Sequence, residues 1–188
     1  ANIGKYTLKL SSLVGRKGHV YSFEPLPRAF FILSCLNYLG NFKNISLINC
    51  AVGEFFSQVN FEEDWIEPEV EQKDGNMFKI PYIFHTNTQS KIVGNSSNKN
   101  SNILERRCLA IDEFSIKEKV NFIKIDVEGN ELSVVKGAKN LILRDKPIIL
   151  LELSKHNSEK DICDYLNNIG YLSKKEFLDS RNILFFKK

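Results

Sequence analysis

The stretch FIKIDVEGNE, residues 122–131, places two charged side chains inside what is otherwise a buried strand. Lys124 and Asp126 lie two positions apart, so both side chains project from the same face of the strand. A central parallel strand is normally a near-continuous apolar run, and buried charges need partners. The two residues can therefore pair with each other or with Glu152, which ends the apolar run that follows.

The same stretch also permits a functional interpretation, which we favour. Ligands of open α/β sheets bind at the carboxyl ends of the strands, where Asp126 and Glu128 lie. In this interpretation the two carboxylates line a pocket. Glu131 then stabilises the start of the following helix through the helix dipole.

On both sides of this stretch, apolar periodicity alternates between strand and helix. Predicted strands cover residues 19–23, 44–52, 107–111, 122–127 and 148–153. Predicted helices lie at about residues 5–13, 26–36, 132–141 and 158–169. A polar turn separates residues 171–177 from residues 183–186, which predicts a closing antiparallel pair. Together these elements predict an α/β fold, a doubly wound sheet with one reversed, C-terminal strand.

The first four residues, Ala1-Asn2-Ile3-Gly4, form a glycine turn that leads directly into a helix. Such a turn normally follows a buried strand, so we expect the first central strand to be missing from the sequence. Asn2 and Gly4 are predicted to leave backbone N–H groups exposed at the helix N-terminus, where a ligand can approach closely.

Residues 63–102 differ in character from the rest of the chain, because they carry clusters of Asn, Ser, Gly and Lys such as GNSSNKNSN at residues 94–102. Such a sequence cannot bury a periodic apolar face. An extra strand or hairpin is predicted just before it, at residues 55–61. We therefore expect a single domain over residues 1–188, with a variable insertion at about residues 63–102.

Charge and cysteine usage exclude several classes of protein. Lys and Arg number 26 against 23 Asp and Glu, and no basic run or RNP-type motif is present, which argues against a nucleic-acid partner. The four cysteines and three histidines show no metal-ligand spacing, so we predict reduced thiols and no metal. No apolar run approaches the roughly 18 residues of a membrane span, which favours a cytoplasmic protein.

Glu24 ends a predicted strand, twenty positions after Gly4. A carboxylate at this place is suited to accept hydrogen bonds from both ribose hydroxyls of an adenosine-containing cofactor. The alternative is a solvated loop glutamate. Ala51 and Val52, at the next strand end, are small and apolar enough to flank an adenine ring, although an ordinary buried strand end has the same composition.

Six blocks of this sequence resemble the successive signature blocks of FkbM-type methyltransferases. They are Phe23-Glu24-Pro25-Leu26-Pro27, Asn49-x-Ala51-Val52-Gly53, Leu109 to Phe114, Phe122 to Glu131, Lys136-Gly137-Ala138 and Leu150-Leu151-Glu152. The glycine motif of the family, Asp-x-Gly-Ala-Asn-x-Gly, is matched only by residues 1–4. The resemblance implies a Rossmann-like class I methyltransferase sheet and S-adenosyl-L-methionine as methyl donor. It also implies O-methylation of a hydroxyl on a sugar, glycolipid or natural-product acceptor.

Candidate site residues follow from the strand ends and from the chemistry that the resemblance implies. Methyl transfer to an alcohol needs a positioned acceptor and a base for its proton. The candidate bases by location are Asp126, Glu128, Glu152 and His156. The candidate cofactor-binding residues are Asn2, Gly4, Glu24, Ala51, Val52 and Asp126.

Three other readings of the sequence remain open. A nicotinamide-dependent oxidoreductase would use the same ribose-binding acid, but it should carry a GxGxxG turn, which is absent. A nucleic-acid N-methyltransferase should show an Asn/Asp-Pro-Pro-aromatic element where this chain has Asp126-Val127-Glu128-Gly129. A non-catalytic or fragmentary Rossmann-like domain is compatible with the fold alone.

Overall fold

The structure of the chain is a computed structural model. It describes residues 1–63, 69–71, 77–79, 91–93, 102–153, 159–176 and 181–187. The chain divides into two compact units, each built from two segments. The first unit comprises residues 1–49 and 59–106, and the second comprises residues 50–58 and 107–188.

The first unit begins with two helix and strand pairs. They are α1 (Lys5–Val14), β1 (Val20–Phe23), α2 (Pro27–Leu39) and β2 (Ile45–Ile48). Strands β1 and β2 are parallel, with Val20 opposite Ile45 and Phe23 opposite Ile48. Helix α1 contacts β1, and helix α2 contacts β2. Pro27 suits the start of α2 because the first N–H of a helix has no partner within the helix.

Polar side chains attach helix α1 to the parallel pair. The buried hydroxyls of Thr7 and Ser22 lie 2.8 Å apart and share a hydrogen bond. The Asn44 amide donates to the carbonyls of Ser11 and Gly15, at 3.0 and 2.9 Å, and so satisfies the last turn of the helix. These bonds fix the orientation of α1 against the strand that leads to Glu24.

The next five strands of the chain come before or within the predicted insertion. They are β3 (Ala51–Gly53), β4 (Ser57–Glu63), β5 (Glu69–Glu71), β6 (Met77–Lys79) and β7 (Lys91–Val93). Strands β5 and β6 pair antiparallel, and β7 pairs antiparallel with β4. Strands β5, β6 and β7 lie within the predicted insertion, whose polar sequence indicated none of them. Apart from Glu63, which ends β4, and Asn102, which begins the next strand, the remaining residues of the insertion lie outside the described residues.

The second unit contains β3, most of the remaining elements and a mixed sheet. The elements after the insertion are β8 (Asn102–Ala110), a 3₁₀ turn (Ile111–Glu113), β9 (Phe122–Ile125), α3 (Glu131–Gly137), α4 (Lys139–Asp145), β10 (Ile148–Glu152), α5 (Glu159–Asn168), β11 (Ser173–Glu176) and β12 (Asn182–Phe186). Strand β3 is parallel to the end of β8, with Ala51 opposite Cys108.

The mixed sheet of this unit has the order β11-β12-β10-β9. Strands β9 and β10 are parallel, whereas β12 is antiparallel to both β10 and β11. Its core contains Ile149, Leu151 and Phe185, all almost completely buried. The predicted C-terminal antiparallel pair and the α/β class are therefore confirmed. The two parallel pairs, β1 with β2 and β9 with β10, belong to different sheets among the described strands, so the doubly wound arrangement stays a prediction.

The predicted strand at residues 44–52 is wrong in one respect, because it consists of two strands with different partners. Strand β2 pairs with β1, and β3 pairs with β8. The chain leaves the first pair at Asn49, whose side-chain amide donates to the Glu24 carbonyl at 2.8 Å. This bond ends the strand at the position where apolar periodicity alone predicted that it continues.

The predicted helix over residues 132–141 is also two helices, α3 and α4, which break at Ala138. Asp112 explains the break. Its carboxylate accepts hydrogen bonds from the backbone N–H groups of Asn140 and Leu141, at 2.8 and 2.9 Å. In a continuous helix those groups would donate to carbonyls four residues earlier.

Gly137 provides a test of the packing in the second unit. A Cβ atom at Gly137 would collide with the carbonyl of Gly53, which is backbone and cannot rotate away. Overpacking costs up to about 3 kcal/mol, and the better helix propensity of alanine returns about 1 kcal/mol. We expect Gly137→Ala to lower the free energy of unfolding by about 2 kcal/mol in urea titrations. The exposed control Lys139→Ala should change it by less than about 0.5 kcal/mol. Equal stability of the two variants would contradict the packing described here.

Candidate active site

Glu24 follows β1 and is a buried carboxylate held by backbone N–H groups. Only 5% of the surface of Glu24 is exposed to solvent. Oε2 accepts the N–H of Asn2 at 2.5 Å and lies 3.0 Å from the nitrogen of Ala1. Oε1 accepts the N–H of Leu26 at 3.0 Å. These donors offset the cost of burying the charge, so the solvated loop glutamate considered from the sequence is not what the structure shows.

The glycine turn before α1 differs from its prediction. The N–H of Asn2 binds Glu24, that of Ile3 binds the Asn2 side chain at 2.7 Å, and that of Gly4 binds the Ala1 carbonyl at 3.2 Å. These groups already have intramolecular partners, so the prediction that they are exposed donors is wrong. Gly4 has φ +99°, and a Cβ there would lie 2.5 Å from Cδ1 of Leu33. Close packing against α2 therefore explains this glycine without a ligand.

Lys124, Asp126 and Glu152 form an ion-pair cluster at the carboxyl ends of β9 and β10. Lys124 Nζ lies 3.0 Å from Glu152 Oε2 and 3.5 Å from Asp126 Oδ2. Register explains why these side chains meet, because Ile125 is opposite Leu151, and Asp126 and Glu152 each follow that pair by one residue. The pairing that the sequence offered for Lys124 is thus confirmed with both carboxylates.

The three side chains of the cluster differ in their exposure to solvent. The Lys124 side chain is 8% exposed, whereas those of Asp126 and Glu152 are 38% and 40% exposed. Partial burial raises the pKa of Asp126 above its ordinary value, Lys124 lowers it, and the negative charge of Glu152 raises it. The net result is a raised pKa. Asp126 is therefore a stronger base than an ordinary aspartate while remaining reachable from solvent, which suits proton transfer.

Glu131, the first residue of α3, holds the loop that follows β9. Glu131 is completely buried, with 0% of its surface exposed to solvent. Oε1 accepts the N–H groups of Val127 and Gly129, at 3.3 and 3.2 Å. Glu128, between them, is exposed and has φ +53°, a conformation that is uncommon for residues other than glycine. These hydrogen bonds tether the loop that carries Glu128 to Glu131, whereas the expected helix-dipole role of Glu131 stays a prediction.

The remaining predicted site residues have less specific surroundings. Ala51 is buried in β3, and Val52 is half-buried opposite Leu109. Burial, followed by the nearby Cys108, raises the pKa of the Cys50 thiol to about 11, and all four cysteines are free thiols, as predicted. His156 lies outside the described residues.

Two side chains that bind the backbone of Glu24 and Pro25 were not predicted from the sequence to do so. The Asn49 amide donates to the carbonyls of Glu24 and Pro25, and Arg106 Nε donates to the carbonyl of Pro25. A polar residue at the end of β2 is a signal that could have identified Asn49. No local signal marks Arg106, which lies 81 positions from Pro25 in sequence.

Within the part of the chain that the structure describes, no cluster of three or more His, Cys, Asp or Glu side chains is arranged to hold a metal ion. Among the same residues, every helix is too short or too polar to cross a bilayer.

The buried Glu131 carboxyl gives a pH-dependent prediction. Burial, despite the hydrogen bonds from backbone N–H groups, raises its pKa above the ordinary value of 4.5. The folded state therefore binds this proton more tightly than the unfolded state. Its contribution to stability is lost as pH rises from about 4.5 through the raised pKa.

Glu131→Gln lacks this titration but keeps an oxygen that accepts both N–H groups. We expect its stability relative to the wild type to increase with pH in that window, by at most about 1.4 kcal/mol per pH unit, and then to level off. Urea unfolding at a series of pH values measures the difference. The exposed control Asp164→Asn should show no comparable rise, and a flat profile for Glu131→Gln would contradict the burial described.

Comparison with known proteins identifies the family. The family model for the methyltransferase FkbM domain matches residues 1–173. The crystal structure of methyltransferase FkbM from Methylobacillus flagellatus KT is similar, with a TM-score of 0.59 and 20% sequence identity. The match covers 99% of this chain and 41% of that one, so this chain spans less than half the length of that protein. Its low identity makes it a comparison of folds alone. A search of curated proteins gave no match. Because the family model covers most of the sequence, the predicted resemblance is confirmed, and the chain belongs to the FkbM methyltransferase domain family.

Proposed function

We propose that this chain is an S-adenosyl-L-methionine-dependent methyltransferase that methylates a hydroxyl of a sugar, glycolipid or natural-product acceptor. Membership of a methyltransferase family gives the reaction class. The observation that carries the finer proposal is the cluster of Lys124, Asp126 and Glu152 at the ends of two parallel strands. A small-molecule or glycan acceptor, and a cytoplasmic location, are parts of the same proposal.

Glu24 fits the ribose of such a cofactor. A carboxylate offers about four lone-pair sites, and here three nitrogens occupy three of them, two on Oε2 and one on Oε1. Oε1 therefore keeps acceptor capacity for a hydroxyl without losing its bond to Leu26. When bound, S-adenosyl-L-methionine supplies a methyl group made electrophilic by its sulfonium. Glu24 would fix the ribose, and Asn2 would act through its hydrogen bond to that carboxylate. Ala51 and Val52 stay proposed as apolar contacts, and Gly4 would contribute through its packing against Leu33.

Asp126 is the best candidate for the acceptor proton among the three predicted bases that the structure describes. Glu152 lies closer to Lys124 than Asp126 does, so its oxygen is more strongly committed to the ion pair. Glu128 is on a solvated loop. Asp126 combines exposure with a raised pKa, and it would take the hydroxyl proton as the acceptor oxygen gains the methyl group. Lys124 then stabilises the remaining charge of the cluster.

The cofactor assignment is tested by Glu24→Ala. Loss of hydrogen bonds to a charged acceptor should weaken S-adenosyl-L-methionine binding by about 1.5–3 kcal/mol, measured by calorimetric titration. Thermal unfolding of the same sample shows whether the variant is folded. Glu105→Gln, which changes an exposed carboxylate in the same unit, should bind like the wild type. Unchanged affinity of the Glu24 variant would remove Glu24 from the cofactor site.

The base assignment is tested by the pH dependence of methyl transfer. Activity should rise with pH as Asp126 loses its proton. Glu152→Gln removes a charge that raises the pKa of Asp126, so the acid limb should move to lower pH. Lys124→Met removes a charge that lowers this pKa, so the limb should move to higher pH. Asp126→Asn should reduce kcat by about 10²–10⁴-fold.

These rates are measured as release of S-adenosylhomocysteine with a panel of hydroxylated acceptors. Asp164→Asn, an exposed substitution of the same kind on α5, should leave the rate and its pH profile unchanged. An acid limb that stays in place in both the Glu152 and the Lys124 variants would show that Asp126 does not accept the proton. A wild type that releases no product with any acceptor would favour a non-catalytic member of the family.

A further inference from the structure

The turn formed by Glu24 and Pro25 is held by side chains from two other elements. Asn49 follows β2 and Glu24 follows β1, each one residue beyond the last strand pair, Ile48 and Phe23. Its Nδ2 donates to the Glu24 carbonyl at 2.8 Å and lies 3.4 Å from the Pro25 carbonyl. Two consecutive carbonyls therefore face one amide group.

Arg106 binds the same turn from β8. Its Nε donates to the Pro25 carbonyl at 3.1 Å, and its Nη1 donates to the Glu105 carbonyl at 2.8 Å. Two neighbouring carbonyl dipoles that point toward one place repel each other, and a charge-assisted hydrogen bond from a guanidinium offsets that repulsion. The second bond, to Glu105, fixes the guanidinium plane and so fixes the direction of the first.

The hydrogen bonds from Asn49 and Arg106 hold the backbone from which the Glu24 carboxylate projects. Pro25 restricts the conformation of Glu24 to the extended region, and the N–H of Glu24 binds the Ile48 carbonyl at 3.0 Å. With its carbonyl held by Asn49, both main-chain groups of Glu24 are fixed. The direction in which the remaining lone pair of Oε1 points is then set by the turn as a whole.

We propose that Asn49 and Arg106 are positioning residues that make Glu24 selective for ligands with a ribose 2′-hydroxyl over their 2′-deoxy counterparts. The proposal rests on the proposed function, since it takes Glu24 to bind the cofactor ribose. Neither residue touches the ligand in this scheme. Their effect is to hold the carboxylate where a hydroxyl can donate to it, so losing them removes selectivity more than it removes binding.

The test compares two ligands in calorimetric titrations of the whole chain, S-adenosylhomocysteine and its 2′-deoxyribose analogue. A hydrogen bond to a charged acceptor predicts a wild-type preference of about tenfold or more for the ribose form. In Asn49→Ala and in Arg106→Gln, affinity for the ribose form should fall until the preference is about twofold or less. Affinity for the deoxy form should change little, because it does not use this bond. Arg107→Gln is the matched control, since Arg107 is the next residue of β8 and is exposed.

The outcomes distinguish failure of the positioning role of Asn49 and Arg106 from failure of the proposed cofactor site. Equal weakening of both ligands, or an unchanged preference in the variants, would overturn the positioning role while leaving the cofactor site in place. A wild type that binds neither ligand would overturn the proposed function and this inference with it. Should Asn49→Ala fail to fold, Arg106→Gln tests the same turn from its other side.

Discussion

The buried ammonium of Lys124 is the constraint on which the second unit depends. A cation that is 8% exposed cannot be left unpaired, because removing a partner from a buried pair typically costs about 3–5 kcal/mol. Both carboxylates that pair with it stand at the ends of parallel strands, so the cluster forms only in the register that places Asp126 beside Glu152. The charge pattern of the site and the register of β9 on β10 are therefore one requirement.

Glu24 shows a second way to keep a charge inside the protein. It is paired with backbone N–H groups at short distance, and its own main-chain groups are fixed by Ile48 and Asn49. Such a carboxylate is rigid and retains acceptor capacity on Oε1, which suits recognition of a hydroxyl group. The Lys124 cluster instead combines a partly exposed aspartate with a raised pKa, which suits proton transfer. The two environments thus favour different chemical tasks.

Most of the strands and helices outside residues 63–102 could be predicted from the sequence, because they follow local apolar periodicity. The interruption of an apolar run by Lys124 and Asp126 was enough to require partners, and those partners are present. The breaks at Asn49 and Ala138 were missed because their causes are distant contacts, such as Asp112 capping Asn140 from 28 positions away. Arg106 was missed for the same reason. Backbone N–H groups at the glycine turn were misjudged, since the sequence does not show which donors are already satisfied internally.

We propose that this chain moves a methyl group from a sulfonium cofactor to a hydroxyl oxygen. To test this, acceptors are incubated with the wild-type chain and S-adenosyl-L-methionine carrying a ¹³C-labelled methyl group. The products are then examined by mass spectrometry and NMR spectroscopy. We expect the label in a new methyl ether, formed in equal amount with S-adenosylhomocysteine. Label that stays in the cofactor with every acceptor, or that appears on nitrogen or carbon, would contradict it.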